Sequence, residues 1–303
     1  MKFPRTIEEF GKMFPTEAAC YRYLLKVRWP KGFSCPRCGH RKACVLEKRR
    51  LYQCAQCKYQ ASLTARTIFH GTRTPLKVWF WAVFFFSRHK QGISALQFKK
   101  DLGLSSYQTA WSICHKVRSA LQESKKFPLQ GLIEADDAYV GGNEPGVHGR
   151  ETQRKAVVAV AIEGRGKHAG RARMEVVEDA SARSLVPFID MNVAPGSSVA
   201  TDGWKGYEDL VKFGYEHEQI ILGRPERASK LLPWVHITFS NLKSWLKGTF
   251  HSVSKKHLPL YLQEFCFRLN RRWDEPGIFL RLLRRLTFAS PLSYRQLVAE
   301  ASG

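Results

Sequence analysis

The sequence predicts an α/β protein in which a mixed sheet flanked by helices follows a small cysteine-rich ribbon and a helical, helix-turn-helix-like region. Two C-x-x-C pairs lie near the amino terminus, and helical apolar patterns follow them. Beyond residue 130, β-rich segments alternate with Gly-rich turns and then with helical patterns. We therefore divide the chain into a ribbon with its preceding helix (15–62), a helical region (74–125), a mixed α/β domain (129–273) and a helical tail (274–303).

The charge of the chain favours a nucleic-acid partner. Its 303 residues include 49 Lys and Arg against 26 Asp and Glu, a formal net charge of +23, and the excess is spread along the whole sequence. Such a surface attracts a phosphate backbone, because each neutralised phosphate releases condensed counterions. A ribosomal protein or a protein of the membrane surface has a similar charge balance, so these classes stay open on charge alone.

The sequence predicts neither a signal peptide nor a membrane span. Its start, MKFPRTIEEFGKMF, mixes charges with apolar residues at helical spacing. The longest apolar run, residues 78–86, is far shorter than the roughly 20 residues that cross a bilayer. Eight cysteines, four of them at metal-ligand spacing, are typical of a reducing compartment. We expect a cytoplasmic, nucleoid-associated protein.

The two C-x-x-C pairs predict a structural zinc ion. Cys35 and Cys38 form the first pair and Cys54 and Cys57 the second, with fifteen residues between the pairs. Zinc binds four thiolates tetrahedrally, and each pair supplies two of them from one tight turn. Four thiolates leave no open coordination position, so this ion is structural rather than catalytic. The other cysteines are predicted to be packing residues: Cys20, Cys44, Cys114 and Cys266.

The segment 94–121 has the pattern of a helix-turn-helix. An apolar helix breaks at Leu102-Gly103-Leu104, and Ser105 or Ser106 can cap a second helix. The second helix offers side chains that contact bases and phosphates in a major groove. These are Tyr107, Gln108, Thr109, Ser112, His115 and Lys116. A simple helical hairpin gives the same pattern, so this alternative stays open.

Carboxylates on two predicted strands suggest a site for divalent metal ions. Asp136 and Asp137 lie within the strand LIEADDAYVGG, where a charge costs free energy unless it is paired or binds a metal. Neighbours on a strand point to opposite faces, and Asp136 shares its face with Glu134. Asp202 ends the strand SSVATD beside a glycine turn, where an Asx turn is the alternative role. Cleavage of a phosphodiester by two metal ions requires such acidic oxygens from distant parts of the chain.

A helix after the last strand is expected to supply a third ligand. In HITFSNLKSWLKGTF, His236 and Lys243 are seven residues apart, which is two turns, so they project from one face. Asn241 is rotated well away from that face. The spacing does not by itself select the ligand.

Several of these segments together resemble the zinc-ribbon insertion-sequence transposases of the ISXO type. The motifs are CPRCG, TARTIFHGTRTPLKVWFWAVF, IEADDAYVGG, TDGWKGY and LKSWLKGTFHSVSKKHLPLYLQEFCFRLNRR, in this order, over roughly residues 15–273. The resemblance implies that residues 129–273 form an RNase H-like catalytic domain of the DDE type. It also implies an acidic triad followed by a lysine, with catalytic Mg²⁺ or Mn²⁺ in addition to the structural zinc.

The resemblance assigns roles to individual positions. Asp136 is the first acid, with Asp137 in place of the usual Glu, Asp202 is the second acid and Lys243 is the lysine. The third position, often Glu seven residues before the lysine, is His236 here, with Asn241 as a second candidate. An imidazole suits manganese and other transition metals better than magnesium, so this departure bears on metal preference.

The implied function is that of a transposase. It would bind the terminal inverted repeats of an insertion sequence and catalyse metal-dependent cleavage and strand transfer on double-stranded DNA, as a homo-oligomer when assembled on DNA. A catalytically inactive, transposase-derived DNA-binding regulator is the alternative, and the missing Glu is its support. An RNase H-like nuclease acting on branched DNA or hybrids is a third hypothesis. A basic face that tracks the DNA backbone, or an ordinary solvated helix face, is expected from Lys255, Lys256, His257, Arg268, Arg271 and Arg272.

Overall fold

The structure is a computed structural model that divides into two compact units. It describes residues 1–142, 155–220, 231–273 and 277–299. One unit contains residues 1–120 together with the chain from residue 274 onward, and the other contains residues 121–273. In the described part of the chain, no helix combines the length and the apolar character that crossing a bilayer requires.

The first unit begins with two helices and a ribbon. Each of the first two helices starts at a threonine whose side chain accepts a backbone N–H of the first turn, which satisfies one otherwise unpaired donor. The ribbon that follows is an antiparallel sheet with the strand order β1-β2-β3. The elements are α1 (Ile7–Met13), α2 (Glu17–Arg28), β1 (Ala43–Leu46), β2 (Leu51–Cys54) and β3 (Gln60–Ser62).

Three helices complete the amino-terminal part of this unit. They are α3 (Leu76–Arg88), α4 (Ala95–Asp101) and α5 (Tyr107–Ser119). Gly103 adopts φ +61 in the turn between α4 and α5, a left-handed conformation that favours glycine. The side chain of Ser106 accepts the N–H of Thr109 and caps α5. The predicted pair of helices with a short turn is therefore present.

One residue expected on the exposed side of α5 is buried instead. His115 is 1% exposed, and its ring stacks on that of Trp111 with 3.8 Å between ring centroids. Its Nδ1 lies 3.0 Å from the carbonyl oxygen of Trp111. The expectation that His115 is available to a DNA groove is wrong, because its ring is buried against that of Trp111.

The second unit is built on a five-stranded mixed sheet. Its strands are β4 (Leu132–Val140), β5 (Ala156–Arg165), β6 (His168–Val177), β7 (Ser198–Thr201) and β8 (Glu216–Gln219). They lie in the order β6-β5-β4-β7-β8. The first three form the predicted antiparallel meander, and β7 and β8 add parallel to β4. This confirms the predicted mixed α/β fold of the RNase H-like type. The end of the last predicted strand, residues 221–222, falls outside the described residues.

Helices cover both faces of the sheet. Alternate residues of β4 and β5 pack on one side with α6 (Ala182–Asn192) and a 3₁₀ helix (Lys205–Phe213). The residues between them pack on the other side with α7 (Pro233–Trp245) and α8 (Leu258–Leu269). This two-sided burial explains why β5 is almost continuously apolar rather than alternating.

The carboxyl-terminal helices belong to the first unit. They are α9 (Ile278–Phe288) and α10 (Tyr294–Ala299). Phe279 stacks on Phe14 with 5.9 Å between ring centroids, and the carbonyl of Leu286 accepts the N–H of Ile68. The tail therefore completes the core of the amino-terminal unit.

Candidate active site and zinc centre

The four predicted zinc ligands form one cluster. The Sγ atoms of Cys35 and Cys57 are 3.6 Å apart, as are those of Cys38 and Cys54, and all four lie within 4.8 Å of one another. Thiolates held about 2.3 Å from a central zinc ion at the corners of a tetrahedron are about 3.8 Å apart. Burial opposes ionisation of Cys35, but backbone N–H groups and the neighbouring thiols outweigh it and lower its pKa to about 7. The cluster therefore fits a structural zinc ion.

The remaining cysteines divide by their surroundings. Cys20, Cys114 and Cys266 are buried, as expected of packing residues. Cys44 is exposed, and its predicted packing role is wrong. It lies on β1, where every residue is exposed or half-buried, because the ribbon is too thin to bury a strand.

The first two predicted acids lie on neighbouring parallel strands. β4 and β7 pair so that Glu134 stands opposite Ala200. Two residues further along each strand, the same register brings Asp136 opposite Asp202, which is the first residue after β7. Neighbouring strands of a sheet lie about 4.8 Å apart. Side chains two residues apart share a face, so both positions fall on the face covered by α7. Asp137 belongs to the opposite face, which packs on α6.

Both carboxylates are turned towards backbone donors. Oδ1 of Asp136 accepts the N–H of Asp137 at 2.8 Å, and Oδ1 of Asp202 accepts the N–H of Trp204 at 3.0 Å. Asp202 thus makes the Asx turn that its sequence context also allows. Within the described residues, only the four cysteines form a cluster of three or more His, Cys, Asp or Glu donors close enough to hold one ion. Asp136, Asp202 and His236 therefore do not form such a cluster among the described residues.

Helix α7 is attached to the same face of the sheet through Glu134. Its Oε2 accepts the N–H groups of Trp234 and Val235 at 2.8 and 2.9 Å, in the first turn of α7 after Pro233. Burial raises the pKa of Glu134, and these two hydrogen bonds oppose the rise. Sequence reasoning placed Glu134 beside Asp136 but gave it no role. No local pattern could show this contact, because its two partners are about a hundred residues away.

His236 and Lys243 follow on α7. His236 is half-buried, and among the described residues its Nε2 has no hydrogen-bond partner. Burial lowers the pKa of His236, while the negative charge of Asp202 acts in the opposite direction. The helix is continuous from Pro233 to Trp245, so Lys243 lies two turns further along the same flank and is exposed. Asn241 is also exposed, roughly 140° around the helix from His236.

The predicted basic face does not form on the last helix of this unit. Arg268 pairs with the fully buried Glu264 at 2.7 Å, and Arg271 pairs with Glu123. Arg272 donates to backbone carbonyls of the β5–β6 hairpin. These arginines bind groups within the unit, so the prediction of a continuous DNA-tracking face through all six residues is wrong. Of the six, only Lys255 and Lys256 are exposed.

Comparisons with known proteins find matches for both the sheet domain and the zinc ribbon. Residues 128–270 match the ISXO2-like transposase domain, and residues 15–60 match the transposase zinc-ribbon domain. A protein of Halobacterium salinarum, described as an uncharacterized protein in transposable element ISH50, is 26% identical over 281 residues, covering 85% of this chain and 92% of the relative. These matches confirm the resemblance to zinc-ribbon insertion-sequence transposases.

Proposed function

We propose that this chain, which carries an ISXO2-like transposase domain behind a transposase zinc ribbon, is an active transposase. It binds the terminal inverted repeats of its insertion sequence through the ribbon and the α4–α5 region. It then cleaves double-stranded DNA and transfers the strand in a reaction that depends on divalent metal ions. Pairing two element ends requires at least two copies of the chain, assembled on DNA.

The observation that carries the proposal is the register of β4 and β7. It places Asp136 and Asp202 on one face of adjacent strands, beside the helix that carries His236. Carboxylate oxygens suit Mg²⁺ and Mn²⁺, and an imidazole favours Mn²⁺. The unpartnered Nε2 of His236 fits a metal ligand, because a buried polar atom normally has a partner. The donors therefore suit the implied ions.

Each residue of the site has a distinct task. Asp136 and Asp202 supply the charged oxygens. Burial keeps His236 neutral near pH 7, which leaves a nitrogen lone pair available. Lys243 contacts a phosphate near the scissile bond as a point charge. When bound, the divalent ions supply an activated attacking oxygen and stabilise the leaving oxygen. Histidine is itself a metal ligand, so the absence of the usual Glu does not by itself favour the inactive regulator.

Nicking of a supercoiled plasmid that carries the flanks of the gene tests the proposal. The wild-type protein is expected to nick it with Mn²⁺ or Mg²⁺. Asp136→Ala and Asp202→Ala should reduce nicking to background and leave binding of the flanking DNA near normal. Asp209→Ala, which removes an exposed carboxylate from the opposite face of the sheet, is the matched control. Full nicking by either active-site variant would remove these residues from catalysis.

A further inference from the structure

The chain makes a sharp turn directly after Asp202, at the end of the sheet where the candidate active site lies. Strand β5 pairs antiparallel with both β4 and β6, while β7 pairs parallel with β4, so β6 and β7 run in the same direction. The loops that follow β6 and β7 therefore leave the sheet at the same end. Gly203 adopts φ +78 in the second of these loops, a left-handed conformation that favours glycine.

Trp204 joins these two loops. Its indole Nε1 donates to the carbonyl oxygen of Ala180, in the loop after β6, at 2.6 Å. Its backbone N–H donates to Oδ1 of Asp202 at 3.0 Å. One residue thus binds the neighbouring loop with its side chain and the carboxylate with its backbone. Because the ring is held by Ala180, the N–H that orients the carboxylate is held as well.

Gly206 allows the ring to lie in this position. A Cβ at Gly206 would lie 2.6 Å from the carbonyl oxygen of Ala180 and 2.9 Å from Cδ1 of Trp204. Both distances are shorter than real Cβ contacts, so a side chain here would displace either the acceptor or the ring. Gly206 is buried, and its φ lies outside the left-handed region. Glycine is therefore required here by the close approach of Ala180 and Trp204.

This arrangement restricts the orientation of the Asp202 carboxylate. The group is planar, so a hydrogen bond that holds Oδ1 also limits the direction of Oδ2. Carboxylates that bind metal ions are usually hydrogen-bonded by neighbouring groups, and loss of such a partner lowers metal affinity or activity by about 10–100-fold. A group that keeps the partner in place is expected to contribute to the same property.

We propose that Trp204 is a positioning residue for the candidate metal site. Its ring, held against Ala180 and Gly206, fixes the N–H that orients the carboxylate of Asp202. The proposal rests on the proposed function, since this orientation matters for catalysis only if Asp202 binds a metal ion. It gives roles to two further residues of the motif TDGWKGY, in which only Asp202 had one. Trp204 acts through Asp202, without a contact of its own to the reacting atoms.

Hydrogen exchange, followed by mass spectrometry, tests whether Trp204 holds the turn. Trp204→Phe keeps an aromatic ring and removes the indole N–H. Loss of one neutral hydrogen bond changes an equilibrium constant by about five-fold. Amide exchange in peptides that cover residues 201–207 should therefore be about five-fold faster than in the wild type. Gly206→Ala, which keeps the tryptophan and displaces its acceptor, should have a similar effect.

Binding of Mn²⁺, followed by its electron paramagnetic resonance signal, tests the consequence for the metal site. The zinc-loaded, full-length protein is titrated without DNA, and Asp202→Ala defines the background from other sites. Trp204→Phe should raise the Kd of Mn²⁺ by up to about five-fold. In plasmid nicking, the Mn²⁺ concentration that gives half the maximal rate should rise by the same factor. A merely structural role would lower the rate at every Mn²⁺ concentration without this shift.

Trp273→Phe is the matched control, because it makes the same substitution at the opposite end of the sheet. Trp273 is 78% exposed and contacts His168 at the start of β6. This variant should leave both the exchange of residues 201–207 and the affinity for Mn²⁺ unchanged. Trp204→Phe and Gly206→Ala perturb one contact from its two sides, so either of them tests the proposal if the other fails to fold.

Exchange at the wild-type rate in both variants would overturn the proposal. Faster exchange with an unchanged Kd for Mn²⁺, or an equal shift in Trp273→Phe, would overturn it as well. A wild-type protein that neither binds Mn²⁺ nor nicks DNA, although exchange is faster in the variants, would refute the proposed enzyme and support Trp204 as the residue that holds the turn.

Discussion

Removing the Glu134 carboxylate should loosen the helix that carries His236 and Lys243. In Glu134→Ala the N–H groups of Trp234 and Val235 lose the oxygen that accepts both of them. These N–H groups lie in the first turn of α7 and have no hydrogen-bond acceptor within the helix. The variant therefore leaves both donors unsatisfied, where Glu134 had held them against the sheet.

The expected cost follows from the two hydrogen bonds. A hydrogen bond to a charged group contributes about 1.5–3 kcal/mol, and loss of a helix cap costs about 0.5–2 kcal/mol. Burial raises the pKa of Glu134, which shows that desolvation offsets part of this gain. We therefore expect about 2 kcal/mol for Glu134→Ala, and about half of it for Glu134→Gln, which keeps a neutral acceptor. In a domain of this size, 2 kcal/mol lowers Tm by about 4–8 °C.

Thermal unfolding and plasmid nicking measure the two consequences. Glu134→Ala should unfold earlier than the wild type and nick DNA more slowly, even well below its Tm, because α7 no longer holds His236 and Lys243 in place. Glu218→Ala, an exposed carboxylate of the same sheet, is the control and should match the wild type in both. Wild-type Tm and nicking in Glu134→Ala would refute the anchoring of α7 by this residue.

Three further predictions concern the zinc cluster, the third ligand and a buried ion pair. Cys35→Ser should release zinc and unfold the ribbon, because zinc contributes about 10–16 kcal/mol to such small modules; unchanged binding of terminal repeats, measured by gel shift, would contradict this. His236→Glu should raise nicking with Mg²⁺ relative to Mn²⁺, and an unaltered ratio would argue against His236 as a ligand. Burial opposes ionisation of Glu163, yet hydrogen bonds from Arg171 bring its pKa below the ordinary value. Glu163 therefore stabilises the fold above about pH 4.3 and loses this effect in acid, so the destabilisation by Glu163→Gln in urea unfolding should be clear at pH 7 and should shrink below about pH 4.

The parts of the fold that depend on local patterns could be predicted from the sequence. Cys35 and Cys38 are fixed by one turn, and their spacing alone indicates a ligand pair. Asp136 lies in a segment whose residue types and length are typical of a buried strand. The sequence alone therefore places it within a strand, without showing which residues lie next to it in space. The meander and most helices followed from the same local periodicity.

The parts that depend on distant partners could not be predicted. A basic residue near the end of a helix gives the same pattern whether it faces solvent or, like Arg271, pairs with a carboxylate far away in the chain. The stacking of His115 on Trp111 needed the packed core, since four-residue spacing permits contact without requiring it. The π-helical turn Leu246–Phe250, which follows α7, has no propensity signature in the sequence, and it became visible only with the backbone.

The stacking of Phe279 on Phe14 joins the two ends of the chain in one folding unit. During synthesis, residues 121–273 leave the ribosome complete, while the amino-terminal unit still lacks its last helices. The ribbon can bind zinc early, but the hydrophobic core around Phe14 closes only after translation has passed α9. A chain cut before α9 would therefore contain a complete sheet domain attached to an incomplete amino-terminal unit.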